Sequence, residues 1–475
     1  MTVQWHRWLA VAALLLGCWA LWTLESARSG VTFEEMSVGP TPVTVWAGSE
    51  DGPAVVMAHG FAGSRQMMQG YGLLLAQAGY RVHAYDFEGH GRHPVPMSGD
   101  VTAVDGTTRL LVNETLEVIA AARADAGDVA LVGHSMATDV LVRATMETEG
   151  IGPLVLLATF SGAVTAQAPD NMLMITGAWE PRLQGFAADA VADAAEGVRR
   201  EAIVVPAVDH VAILHSRAGR TAALDWLNAY YGRDGKAQVR PTGWALIGLL
   251  AAITMLFAPV ARLFPAAGGL PDELSWRWFA AIVAAPMLAA PTLAAPVDTQ
   301  VLPVLVADYL ALHLLIYGLV QLGALWATGA RPGPISILGG VLVLVWTVGV
   351  FGFALDRYGA NFWPVPERYG IIAALALGAV PFMLADAWAV QGAGLGRRVL
   401  ARLGFLVSLG LAVALDVEGL FFLLLIAPVI VLFFLSFGWI GRMAATRFGA
   451  VGPGVGLGLA LAWALGVSFP LFSAG

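Results

Sequence analysis

The sequence predicts an α/β domain, a doubly wound and mostly parallel sheet, followed by an all-α domain of several membrane-crossing helices. Three observations predict it. Charged residues make up 13% of the 475 residues, about half the usual share of a soluble domain. The Asp and Glu concentrate between about Val31 and Lys236, whereas from Trp244 onward long apolar runs alternate with short loops carrying Arg, Pro or Gly. Within 31–236, β-rich runs alternate with helix-like runs, the pattern of a parallel sheet covered on both faces.

The formal net charge of −8 argues against a nucleic-acid partner, which needs a basic face. Cys18 is the single cysteine, so no intramolecular disulfide forms. No His/Cys cluster has metal-ligand spacing, and no metal or cofactor is expected. Lysine occurs once, at Lys236, beside many arginines; that is associated with GC-rich bacterial genomes, not a physical argument. Protein partners stay open.

A bilayer core takes about 20 apolar residues as a helix. Nine runs qualify: Trp8 to Leu24, then roughly 243–261, 278–297, 301–325, 335–355, 370–390, 403–416, 419–440 and 450–472. The third is expected to be broken by Pro286, Pro291 and Pro296, and the seventh is short. With the N-terminus cytoplasmic, Arg7, Arg262, Arg277, Arg331, Arg397, Arg398, Arg402, Arg442 and Arg447 fall inside, and the outer short loops carry only Arg357 and Arg368. This is the positive-inside bias. Asp298, Asp356, Asp416 and Glu418 fall outside. Arg28, Arg233, Lys236 and Arg240 run against the bias, but long domains translocate largely regardless of charge. The expected division is 1–30 as a signal anchor, 31–236 as an extracytoplasmic domain, and 237–475 as a polytopic region of about eight helices. The first run is also compatible with a cleaved signal or, through "LLGC", a lipoprotein signal; each leaves residues 31–236 outside the cytoplasm, at the inner or plasma membrane.

Strand-like runs lie at 43–47, 54–59, 81–86, 129–134, 153–159, 171–176 and 202–207. Helix-like runs lie at 66–78, 106–126, 136–149, 181–199 and 216–231. On this frame sit five short stretches. "HGFAGS" (59–64) ends a buried strand, with glycines allowing a tight turn. "YDFEGHGRH" (85–93) follows the next strand. "ALVGHSMATDVLV" (130–142) reads as a strand, a tight turn holding Ser135, and a helix. "GAWEP" and "VDHVAIL" follow two later strands and supply Glu180 and His210. A serine is a weak nucleophile at its own pKa and needs a base, which in turn needs an orienting acid.

Taken in this order, the motifs resemble the α/β-hydrolase superfamily, with a serine esterase- or lipase-like domain fused to a polytopic membrane domain. The resemblance covers about 200 residues. It implies Ser135 as nucleophile, His210 as base and Glu180 as acid, with the backbone N–H groups of Phe61 and Met136 as oxyanion donors. Glu180 stands where Asp is usual, and Ala137 where Gly is usual. Asp209, Asp170 and Asp139 are rival acids, and His215 is a rival base. His90 and His93 read as turn residues. Substrate contacts are expected at His59, Gly60, Phe160 and Trp179, in a pocket lined by Phe61, Met67, Met68, Met136, Phe160 and Trp179. For Met67 and Met68 a core position is the better reading.

Only "FSGAVTAQAPD" separates two strands where many superfamily members insert a cap. No cap domain is therefore expected, and the pocket is shallow unless another part closes it. The catalytic loops of such a sheet lie at its C-terminal edge, and both tethers, 25–31 and 232–242, are expected to leave from the opposite edge. The site should then point away from the bilayer or sideways. Asp308, His313 and Asp386 fall within apolar helices, either as polar ties between helices or as part of an ion or substrate path. The expected function is a membrane-anchored serine hydrolase cleaving a carboxylic ester or thioester of a small acyl substrate, with the bilayer as its setting. The alternative is a transport or scaffold protein whose outer domain binds a ligand without turning it over.

Overall fold

The computed structural model describes residues 2–99, 104–123, 127–267, 274–297 and 300–473; Asp298 lies outside them. Eight strands form one sheet: β1 (Thr32–Val38), β2 (Thr41–Ala47), β3 (Ala54–Ala58), β4 (Arg81–Tyr85), β5 (Val129–His134), β6 (Ile151–Leu157), β7 (Asn171–Gly177) and β8 (Arg199–Val205). Their order is β1-β2-β4-β3-β5-β6-β7-β8. β1 and β2 pair antiparallel with their neighbours, and every pair from β4 to β8 is parallel. The inner strands are buried along nearly their whole length, which is why they read as continuous apolar runs.

Five helices cover the sheet: α2 (Gln69–Gln77), α3 (Arg109–Arg123), α4 (Met136–Thr145), α5 (Pro181–Ala192) and α6 (Arg217–Tyr231). α3, α4 and α5 pack into one core on one face, around Leu111, Val140 and Ala187. α2 and α6 pack into a second on the other face, around Tyr71, Leu74 and Trp226.

The remaining helices are α1 (Thr2–Arg28), α7 (Thr242–Ala261), α8 (Trp276–Ala294), α9 (Ala307–Ala327), α10 (Ile337–Leu344), α11 (Gly352–Tyr358), α12 (Tyr369–Ala389), α13 (Leu395–Leu415), α14 (Val417–Leu420), α15 (Leu423–Phe448) and α16 (Val451–Ser468). A wider, π-type stretch, Val345–Phe351, joins α10 to α11. Among the described residues, nine helical spans are long and apolar enough to cross a membrane.

Two expectations change here. α8 runs unbroken through Pro286 and Pro291, and Pro296 lies beyond its end. Apolar helices tolerate proline where neighbours and local adjustment satisfy the freed backbone groups. α13 is 21 residues long, not short, because its first turns carry Arg397, Arg398 and Arg402 and so escape an apolar count.

The expected orientation of the domain is also overturned. The loops after β3 and β4, at the C-terminal edge of the sheet, sit directly on the helical region. Arg92 meets Asp356 at 2.6 Å, and its Nε donates to Asn361 Oδ1 at 3.1 Å. The Asn361 N–H donates to Ser64 Oγ at 3.0 Å. Arg368, fully buried, donates to the carbonyls of Gly89 (2.9 Å) and Phe469 (2.6 Å). Beyond α16 the chain returns to the domain: Leu471 N–H donates to Gly89 O, and Met97 N–H to Leu471 O, each at 2.8 Å. Phe472 then enters the α3–α4 core.

The tethers explain the reversal. The segment after α6 does leave from the far edge, but it folds back along the domain. Asn228 Nδ2 donates to Gly235 O (2.8 Å) and Arg220 Nη2 to Arg240 O (2.9 Å), so α7 begins beside His215. On the other side, Arg28 donates to Gln69 Oε1 at 2.6 Å.

Candidate active site

Ser135 stands between β5 and α4 with φ 54° and ψ −118°, a left-handed conformation rare for a residue with a side chain. Two close approaches require glycine around it. A Cβ on Gly133 would lie 2.6 Å from Leu141 and 3.3 Å from the Ala137 methyl. The bare Gly133 is therefore what makes room for alanine at 137. A Cβ on Gly60 would lie 2.9 Å from His134 Nδ1 and 3.0 Å from Ser135 Cβ.

Three side chains from three loops meet. Ser135 Oγ is 2.7 Å from His210 Nε2, and His210 Nδ1 is 2.6 Å from Glu180 Oε1. A carboxylate only accepts, so Nδ1 carries the proton and Nε2 is left to accept from the serine hydroxyl. Glu180 is held by the Gly177 N–H, which donates to Oε2 at 2.8 Å. Its side chain is 8% exposed, against 46% for His210. The longer glutamate reaches because it starts from the residue that opens α5, three positions past the end of β7.

The rivals are engaged elsewhere. Asp209 accepts from the N–H groups of Val211 and Ala212. Asp139 pairs with Arg143 and accepts from Ser161 and Gly162. His215 is largely enclosed, beside Thr242; burial, then the nearby Arg220 charge, lowers its pKa to about 4. The sequence does not single out His134, which clamps the base loop: its Nε2–H donates to the His210 carbonyl at 2.8 Å. Burial pulls the His134 pKa down to about 4, so the ring is neutral at pH 7.

The cleft beside Ser135 has a volume of about 620 Å³ and is lined by Phe61, Met136, Phe160, Leu183, Leu111 and Phe422, among others. Phe422 was not anticipated. It immediately precedes α15, and its ring centroid is 6.1 Å from that of Phe61. Among the described residues no inserted cap closes the cleft; the helical region supplies a wall through Phe422.

Of the four expected substrate contacts, only Phe160 lines the cleft. His59 is 1% exposed. Its Nδ1–H donates to Gly60 O at 2.7 Å, and its Nε2 accepts the Phe87 N–H at 3.2 Å. Burial lowers its pKa, so it braces the turn as a neutral ring. Gly60 serves the close approach already described. Trp179 is 68% exposed and does not line the cleft. Met68 is fully buried and Met67 packs against the same core. Burial pushes the Asp86 carboxyl up, but Arg65, His59 and two backbone N–H groups outweigh it and hold it below its usual range. With Arg65 at 2.6 Å, Asp86 is the internal anchor of the two loops.

Residues 50–202 match the model of a hydrolase family described as serine aminopeptidase, S33. No curated protein matches the chain. Similar solved structures include a hydrolase from Thermoplasma acidophilum, 14% identical, with TM-score 0.35, covering 42% of this chain and 98% of that one. A serine hydrolase involved in carbazole degradation is 16% identical, with TM-score 0.34, covering 42% and 99%. An epoxide hydrolase from an endophytic Streptomyces is 14% identical, with TM-score 0.33, covering 43% and 97%. The strand order, the serine on the turn after β5 and the family match over 50–202 agree: the chain carries a domain of α/β-hydrolase fold, continued by a helical region of many apolar helices.

Proposed function

We propose that this protein is a membrane-embedded serine hydrolase that cleaves a carboxylic ester or thioester through an acyl-enzyme. The observation that carries the reading is the contact chain Ser135–His210–Glu180, at 2.7 and 2.6 Å with the base tautomer set for proton abstraction. Ser135 Oγ attacks the acyl carbon while its proton passes to His210 Nε2. The N–H groups of Phe61 and Met136 receive the developing oxyanion. The Met136 N–H lies in the first turn of α4, where a helix offers no internal acceptor. His210 then protonates the departing alcohol or thiol, and water repeats the cycle on the acyl-enzyme. Glu180 stabilises the imidazolium throughout.

The cleft favours an apolar acyl group, since Phe61, Met136, Phe160, Leu183 and Phe422 line it. Phe422 adjoins the start of the Leu423–Phe448 span, so an ester whose tail is dissolved in the outer leaflet reaches Ser135 without leaving the bilayer edge. An aminopeptidase reading, suggested by the family description, needs a free carboxylate for the substrate amine. The acid lining the cleft is Asp139, already held by Arg143 and Ser161. The arginine asymmetry supports an extracytoplasmic position for the domain. Arg262, Arg277, Arg331, Arg397, Arg398, Arg402, Arg442 and Arg447 adjoin helix ends remote from the hydrolase domain. Arginines on the domain side are engaged locally: Arg357 with Glu25 at 2.8 Å, Arg233 with Glu50 at 2.9 Å, and Arg28 and Arg240 over the Phe33 and Trp22 rings.

A fluorophosphonate probe tests the reading. The folded full chain should label, and Ser135→Ala should abolish labelling and the hydrolysis of p-nitrophenyl esters. A well-folded wild-type chain that neither labels nor hydrolyses supports the ligand-binding alternative.

A further inference from the structure

A second cavity lies in the helical region at the end remote from the hydrolase domain, between the end of α12, the start of α13 and the last turns of α15. Its volume is about 130 Å³. Arg398, Arg402 and Arg442 line it, with Asp386, Gln391 and Thr446. Asp386 is 5% exposed and meets Arg402 at 3.6 Å, a loose pair. Three guanidinium groups therefore face one carboxylate. Arg402 lies across Gly438, where a Cβ would come within 3.3 Å of its guanidinium, and over the Phe434 ring at 4.6 Å.

Gln391 makes this more than a cluster of arginines at a membrane surface. It is 6% exposed, and neither Nε2 nor Oε1 has a hydrogen-bond partner among the described residues. Arg402 Nε is likewise buried and unpartnered. A buried polar group left without a partner is costly, so donors left open on a cationic cavity are a binding feature. Arginine forks and an amide N–H suit tetrahedral oxyanions.

We propose that this cavity binds a phosphate group, either inorganic phosphate or the phosphodiester of an anionic lipid headgroup. The site is separate from the Ser135 cleft and does not depend on the reading of that cleft. Arg398 and Arg442 supply the charge that Asp386 does not neutralise, and Gln391 Nε2 supplies a neutral donor.

The test uses the purified full chain in a maltoside detergent, with thermal unfolding followed as ligand is added. The arms are inorganic phosphate, phosphatidylglycerol and, as a zwitterionic control, phosphatidylcholine. A ligand that binds only the folded state raises the midpoint with concentration. Stabilisation by phosphatidylglycerol alone identifies a lipid headgroup; stabilisation by inorganic phosphate identifies the free anion. In either case Arg442→Gln and Gln391→Leu should each weaken binding at least tenfold, while Arg442→Lys should retain part of it. Arg442 is exposed, so its variants test the site without disturbing the core. No stabilisation in either anionic arm, or equal stabilisation by phosphatidylcholine, overturns the proposal. So does unchanged binding in folded Arg442→Gln and Gln391→Leu.

Discussion

Ser135, His210 and Glu180 show how a side chain's neighbours decide its chemistry. In the proposed reaction the acid is Glu180, whose Oε1 reaches His210 Nδ1, while Asp209, adjacent to His210 in sequence, caps the following turn. Glu180→Gln keeps the shape but places an amide N–H opposite Nδ1. The imidazole must then carry its proton on Nε2, the wrong nitrogen for accepting from Ser135. The expected loss in kcat is about 10⁴-fold, with the fold and KM nearly unchanged; hydrolysis of a p-nitrophenyl ester measures it. A loss below tenfold would remove Glu180 from the relay. The tight turn that holds Ser135 was legible from its motif because such a turn needs small flanking residues. The role of His134 was not, since its partner is a carbonyl 76 positions later, and nothing local marks that contact.

At the scale of elements, seven strands were readable and β1 was not. β1 is an edge strand, exposed along nearly its whole length and carrying Glu34 and Glu35. It lacks the apolar signature that burial imposes, and its charged residues discourage pairing with another chain. α15 is the element that links the two regions: Phe422 at one end walls the Ser135 cleft, and Arg442 near the other lines the cationic cavity. Removing the Phe422 ring takes apolar surface from the cleft beside Ser135, where the proposed reaction seats the acyl group. Phe422→Ala should lower kcat/KM for octanoyl or longer esters about tenfold, with a smaller change for acetate. An equal effect on all chain lengths would place Phe422 outside the acyl pocket.

Across the whole molecule, the hydrolase domain and the helices are joined by buried polar contacts, and several of the participating loops hold neutral histidines. Burial, with the neighbouring His59 ring second, lowers His90 to about 3. His134 and His215 are each lowered to about 4. In the unfolded chain these groups titrate near 6.5. Between about pH 6.5 and pH 4 the unfolded state therefore takes up protons that the folded state refuses, and stability falls as pH falls. Asp86, held below its usual range, extends the loss at lower pH. The unfolding midpoint of the full chain should be level from pH 8 to 7 and then drop steadily toward pH 4. A midpoint that rises on acidification would contradict buried neutral rings at these positions. Polar residues within the apolar helices are hydrogen-bonded: His313 bonds Tyr309 on its own helix and Ser408 on α13, and Asp308, at the start of α9, accepts from the N–H groups of Val301 and Leu302 in the preceding loop.

Amino-acid order alone determined the division into a charged α/β part and an apolar helical part, the strand–helix alternation, and the serine, histidine and glutamate that meet. Each of these rests on local pattern: burial writes apolar runs, and a tight turn demands small residues. Which way the sheet faces was decided only by the tertiary structure. A tether of about 11 residues spans up to ~36 Å and permits either orientation. The choice was made by contacts far apart in sequence, Arg92 with Asp356, Arg368 with Gly89, and Phe61 with Phe422, which bring the C-terminal edge of the sheet down onto the helices.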